Sequence, residues 1–148
     1  MPIRVHFHFS DSVREIDTGR IELALKMIAV DYDWSEGEIS VAIVSDSKIR
    51  QLNQKHLDHD YATDVLSFDL TEDDVCLEGE VIASLDTADR EASHHGWSSD
   101  DELTLYVIHG MLHIVGLLDK EPSDIASMRT EESFYLEAVG IKPQAQKP

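Results

Sequence analysis

Residues 99 to 115 leave this chain little choice of architecture. Leu103, Leu105, Val107, Ile108, Met111, Leu112 and Val115 make a helix-length segment that is apolar on nearly every side. A helix of that kind is buried by its surroundings, so the segment predicts a central helix. Ser99, with Glu102 three residues on, reads as the capping box that opens it. Two histidines, His109 and His113, interrupt the apolar surface four residues apart, which puts both on one helix face. Gly116 suits the helix end, where a residue without Cβ turns the chain back. Asp119 then falls where a third ligand is needed. Three protein ligands with a fourth position open describe a catalytic zinc site rather than a closed structural one, so one Zn2+ per chain is expected. The competing reading is a core helix whose two histidines hydrogen-bond backbone groups. Zinc proteases of the His-Glu-x-x-His type carry a glutamate directly after the first histidine as general base, and Gly110 stands there instead.

The rest of the chain supplies strands and helices in alternation. Ile3–Phe9 alternates apolar and polar residues as a half-buried strand does, with His6 and His8 on its polar face. Asp17 or Thr18 caps a helix to about Asp31, carrying Ile21, Leu25 and Ile28 on one stripe. Glu38–Val44 is a second strand, and Ser45-Asp46 starts a helix to about His56. Thr63–Phe68 and Glu80–Leu85 read as neighbouring strands in a hairpin-like pair, joined by an acidic loop from Asp69 to Gly79. Asp86 or Thr87 caps a helix that ends at Gly96, where His94 and His95 read as exposed cations. Pro122 sits in the first turn of a last helix, stopped by Gly140. Interleaved strands and helices predict a single α/β (α+β) domain over residues 1–141, with about four strands in a mostly mixed sheet and about five helices around it. Residues 142–148 are expected to form a mobile tail.

Composition narrows the surroundings. With 148 residues and 42% hydrophobic content the chain can bury one real core. No apolar run approaches the ~18 residues of a membrane span, so no membrane partner is expected. The N-terminus lacks a signal-peptide layout, and Cys76 is the only cysteine, which suits the cytoplasm. The formal net charge of −18 is unusual for a nucleic-acid binder, which must neutralise phosphates. Seven of the twelve basic residues lie in the first 57: Arg4, Arg14, Arg20, Lys26, Lys48, Arg50 and Lys55. Between Asp69 and Glu102 the only basic residue is Arg90. An RNA-binding surface is therefore expected on the basic first third, and the acidic middle reads as a solvated face.

The motifs resemble a known family. His109-Gly110-Met111-Leu112-His113-Ile114-Val115-Gly116 is similar to the signature of the YbeY endoribonucleases, His-Gly-x-Leu-His-x-x-Gly-Tyr-Asp-His. Thr63-Asp64-Val65-Leu66-Ser67-Phe68, shortly after Leu52-Asn53, resembles the second family signature, and Gly79-Glu80-Val81-Ile82 its Gly-Asp-Ile strand. The resemblance spans the chain from the first strand to the last helix. It implies an α/β fold with a small sheet and a ring of helices. It also implies a metal-dependent, ribosome-associated RNase that matures the 3′ end of small-subunit rRNA and serves ribosome quality control. rRNA and the small ribosomal subunit are then the partners, with no small-molecule cofactor.

Two departures stand out. Asp119 occupies the place of the family's third histidine, and its negative charge is expected to make zinc-bound water less acidic and the pH optimum higher. Leu57 stands where the family has a basic arginine, and His59 where a lysine follows. Lys55 and His59 are carried as substrate-binding candidates, with His56 as a further possible donor. Arg90 either pairs with Glu91 or Asp86 or faces phosphate, and joins that set. His109, His113 and Asp64 are the catalytic candidates, Asp64 as a substrate contact or a carboxylate behind the ligands, against an equal reading as a strand-end cap. Ser67 reads as structural. A binding or assembly factor with a weakened or structural metal site is the first alternative, and a metal-dependent hydrolase of another substrate the second.

Overall fold

A computed structural model describes residues 2–10, 13–59 and 63–142. In chain order the elements are β1 (Ile3–Phe9), α1 (Gly19–Asp31), β2 (Glu36–Val44), α2 (Asp46–Leu57), β3 (Val65–Asp69), β4 (Cys76–Ser84), α3 (Leu85–His95), α4 (Ser99–Ile114) and α5 (Pro122–Ala138). The strands form one mixed sheet in the order β1-β2-β4-β3. β1 runs parallel to β2 and β2 to β4, while β3 returns antiparallel on β4. The expected single α/β domain with four strands and five helices is what forms. The expected mobile tail falls, beyond Lys142, outside the described residues.

The sheet divides the interior. Ile39, Val41, Ile43, Leu77, Val81 and Ala83 face a large core built with α1, α3, α4 and α5. On the opposite face α2 covers a smaller cluster of Val44, Ile49, Leu66 and Ile82. α4 is central, as its composition requires. Leu103, Val107, Ile108, Met111 and Leu112 are fully buried, each burial being worth about 1.5–3 kcal/mol. His6 and His8 point outward from β1, and His6 meets Glu38 of β2 at 3.3 Å.

Several element boundaries differ from the sequence reading. The acidic loop is shorter, because β3 runs on to Asp69 and β4 begins at Cys76. Between them Asp73 Oδ1 accepts the Val75 and Cys76 amides and turns the chain. α3 is capped by Ser84, whose hydroxyl accepts the Thr87 amide, not by Asp86 or Thr87. The capping box of α4 is Ser98 with Asp101, one residue earlier than Ser99 with Glu102. That shift sends Glu102 to the inner face, where it is buried against His95 Nδ1 at 2.6 Å. His95 is therefore half-buried and paired, whereas His94 is exposed and meets Glu91. At the start of α1, Asp17 accepts the Gly19 amide, and Thr18 makes no side-chain cap bond.

Three of the seven basic residues in the first third are engaged by acids. Arg14 makes two bonds to Asp89, Arg20 pairs with Asp101, and Lys26 with Glu22.

Candidate metal centre

The C-terminal half of α4 lies against β3 and β4 at the β3 end of the sheet. Gly110 makes that approach possible. A Cβ there would stand 2.9 Å from Val81 Cγ1 and 3.3 Å from Val65 Cγ2. The histidines one position before and three after it are thus carried to the edge of β3. Gly116 then takes φ +113, a conformation a residue with Cβ rarely adopts, and reverses the chain. The Leu117 amide bonds back to Leu112 O, and Asp119 returns to the histidines.

His109 Nε2 and His113 Nε2 are 3.0 Å apart. Asp119 Oδ2 lies 3.2 Å from His113 Nε2 and 3.6 Å from His109 Nε2. The other ring nitrogens fix what these atoms are. His113 Nδ1 faces the Leu117 carbonyl at 2.9 Å, an acceptor only, so it must donate. His109 Nδ1 donates to Glu132 Oε2 at 2.6 Å. In the neutral rings both Nε2 atoms are then bare lone pairs aimed at one another and at a carboxylate oxygen. Three acceptors converging on one point repel unless a cation lies among them. Tetrahedral zinc with bonds of ~2.0–2.2 Å would separate its ligand atoms by about 3.3–3.6 Å. The observed triangle, with sides of 3.0, 3.2 and 3.6 Å, is a few tenths of an ångström tighter than that on two sides and matches it on the third. His109, His113 and Asp119 thus form a triad that can hold a metal ion.

The charge around the triad agrees. Burial pushes the His109 imidazolium toward losing its proton, yet Glu132, hydrogen-bonded and charged, outweighs this with help from Asp64 and Asp119. The net direction is upward, so without a metal a proton on His109 relieves the same clash of lone pairs. Glu132, 3% exposed, also accepts from Arg129 Nη1 at 3.1 Å. Sequence reasoning missed it. The signal was available: Glu132 lies midway between Met128 and Leu136 on the buried stripe of α5, where an acid needs a partner.

A cleft of about 520 Å³ opens at the triad. Along it run Asp64, residues of β3 with Ser67 among them, and Leu57 from the end of α2. Asp64 is exposed there, and its Oδ1 accepts the Val65 amide at 2.8 Å. That bond is the strand-end cap of the sequence reading, and the same side chain lines the cleft. Ser67, read as structural, also lines the cleft. The structure does not bring Lys55, His59 or Arg90 to the described lining. Lys55 and His59 are exposed on and just after α2, near Leu57. Arg90 is paired not with Asp86 or Glu91 but with Asp46 of α2, which also accepts from Ser84 and Thr87.

An α/β domain whose buried helix offers two imidazoles and whose next turn returns a carboxylate belongs to the class of single-domain metal-binding folds with an open site. Within that class the chain belongs to the YbeY family: the family described as Endoribonuclease YbeY matches residues 6–140. A relative named Endoribonuclease YbeY from Salinibacter ruber is 37% identical over 140 residues, covering 89% of this chain and 89% of the relative. Another of that name, from Rhodopirellula baltica, is 40% identical over 131 residues, covering 86% and 68%. The solution structure of TM1509 from Thermotoga maritima is similar with a TM-score of 0.65 and 28% identity, over 93% of this chain and 88% of that one.

Proposed function

We propose that this chain is a zinc-dependent endoribonuclease that cuts single-stranded RNA, acting in the cytoplasm on small-subunit rRNA at its 3′ end and in ribosome quality control. The observation that carries this reading is the convergence of His109 Nε2, His113 Nε2 and Asp119 Oδ2 on one point in an open cleft. That it lies in a chain whose relatives are named endoribonucleases supports RNA as the substrate. No described helix is long and apolar enough to cross a membrane.

Cleavage of a phosphodiester needs an activated nucleophile, relief of charge at phosphorus and a proton for the leaving oxygen. Zinc held by the triad supplies a Lewis acid for the phosphoryl oxygen and acidifies a water molecule. The protein's own part is orientation. Glu132 and the Leu117 carbonyl hold both imidazoles with Nε2 toward the cleft. Asp64 keeps Oδ1 on the Val65 amide and leaves its second oxygen for a substrate hydroxyl or water. Lys55 and His59 supply donors for the RNA backbone as it leaves the cleft. Arg90, held by Asp46, is not given that role.

The test is incubation of the purified chain with a single-stranded fragment of small-subunit rRNA and with its duplex. The expected result is cleavage of the single strand, abolished by chelator and restored by zinc. Absence of cleavage with zinc, manganese or magnesium would remove the enzyme. One observation favours a second reading, a ribosome-assembly factor. The described lining of the cleft carries the carboxylates of Asp64, Asp69 and Asp119 and neither lysine nor arginine. That reading predicts association with the small subunit without cleavage.

A further inference from the structure

β3 is an outer strand, and among the described residues nothing pairs with its free edge. Register decides what that edge offers. The Ser84 amide donates to Asp64 O and the Leu70 amide to Glu78 O. In an antiparallel pair such bonded positions alternate with positions facing away. The main chains of Leu66 and Phe68 therefore turn toward β4, and those of Val65, Ser67 and Asp69 turn outward. The Val65 amide is already taken by Asp64 Oδ1. Ser67, in the middle of the strand, presents an adjacent N–H donor and C=O acceptor where β3 borders the cleft.

Charge selects what can sit against them. Asp64 precedes β3 and Asp69 ends it, so both ends of the strand carry a carboxylate. A phosphate laid along this edge meets repulsion from both sides, whereas an uncharged ring does not. Leu57 and Val65 add apolar surface in the same cleft. The charged part of a nucleotide thus belongs at the histidine end and its neutral part against β3.

Resting on the endoribonuclease reading above, we infer that the outward main chain of Ser67 receives the Watson–Crick edge of one unpaired nucleobase. Every base carries a hydrogen-bond donor beside an acceptor on that edge, and in a duplex the edge is occupied. The contact therefore selects single strands without selecting strongly among bases, and it does so without a basic residue.

The test combines a protein variant with a substrate series. Ser67→Pro removes the outward N–H, and proline is tolerated on an edge strand where its amide faces away from the sheet. Zinc-loaded parent and variant are given a short labelled single-stranded RNA in which an abasic residue is moved one position at a time. Kd is read by fluorescence anisotropy, with KM and kcat from gels and folding from thermal melts. In the parent, the sensitive abasic position loses both hydrogen bonds and raises Kd and KM by more than tenfold. Ser67→Pro loses one of them and raises both by up to about tenfold on intact RNA, with kcat and the melting temperature little changed. It adds nothing on the RNA that is abasic at the sensitive position.

A parent indifferent to abasic residues everywhere would overturn the inference, as would a folded variant with the parent's Kd, or two losses that multiply. If the variant fails to fold, the abasic series on the parent decides alone. A parent that binds with abasic sensitivity but cuts nothing would uphold the base contact while removing the endoribonuclease reading.

Discussion

Glu132 shows how one residue can matter without touching substrate. It is a nearly buried carboxylate that fixes the tautomer and ring plane of His109 and is itself steadied by Arg129. Losing such a partner costs a metal site about 10–100-fold in affinity. Glu132→Gln is expected to weaken zinc binding by that factor, measured by competition with a chelating dye. Unchanged affinity would mean that the ring is held by packing alone. The two ligand histidines were legible because four-residue spacing on a helix is a local fact, and Asp119 because the turn after Gly116 is short. Glu132 was not, since its partner is 23 positions away and the contact exists only once α5 has packed on α4. Asp64 was legible as a candidate but not as a cap and cleft residue at once, because backbone and solvent claim different oxygens of the same group.

At the scale of elements, the site depends on how closely α4 lies on the sheet and how the strand-to-helix joints are tied. Alanine in place of glycine within a helix ordinarily gains about 1 kcal/mol. At Gly110 the new Cβ would crowd Val81, which is fully buried, and overpacking of that kind costs about 1–3 kcal/mol. The second effect is the larger, so Gly110→Ala is expected to lower stability in urea denaturation and to displace both histidines. A more stable variant would show that Val81 yields. The joints are reciprocal: Asp86 of α3 accepts the Asp46 amide at the start of α2, while Asp46 accepts from Ser84, Thr87 and Arg90 at the start of α3. Burial alone would raise the Asp46 pKa, but the Ser84, Arg90 and Thr87 donors outweigh it and the net direction is downward. A carboxyl whose pKa falls on folding stabilises above its ordinary value, about 3.9, and loses that contribution as pH drops through the folded value. The melting temperature of Asp46→Asn should thus lie furthest below the parent's at neutral pH, with the gap closing under acid. A gap that widens under acid would contradict this. Helices and strands were legible from periodicity. Their caps were off by one to three residues because Ser84, Ser98, Ser99, Asp86 and Thr87 all have capping chemistry, and packing decides which is used.

At the scale of the whole molecule the net charge is −18, and several of the described cations are held by acids. Arg14, Arg20, Lys26 and Arg90 each pair with a carboxylate. Few phosphates can then be neutralised on binding. For single strands the slope of log affinity against log salt is about −0.7 per phosphate, so a slope near −0.7 to −1.4 is expected here. Anisotropy titrations over a series of potassium chloride concentrations would measure it, and a slope near −4, about six neutralised phosphates, would contradict this. The fold class was legible because one apolar helix had to be central and alternating strands had to cover it. Which basic residues stay available was not legible, since a residue's sign says nothing of the partner that tertiary structure brings beside it: Arg14, Arg20 and Lys26 are each held by an acid.

The central claim is that His109, His113 and Asp119 hold one catalytic metal, and the most direct measurement is elemental analysis of the dialysed chain and of Asp119→Ala, with RNA cleavage assayed on both. About one zinc per chain in the parent, lost from the variant together with cleavage, is the predicted result. A parent that retains no metal, or one that cuts RNA equally well after its metal is stripped, would contradict the account.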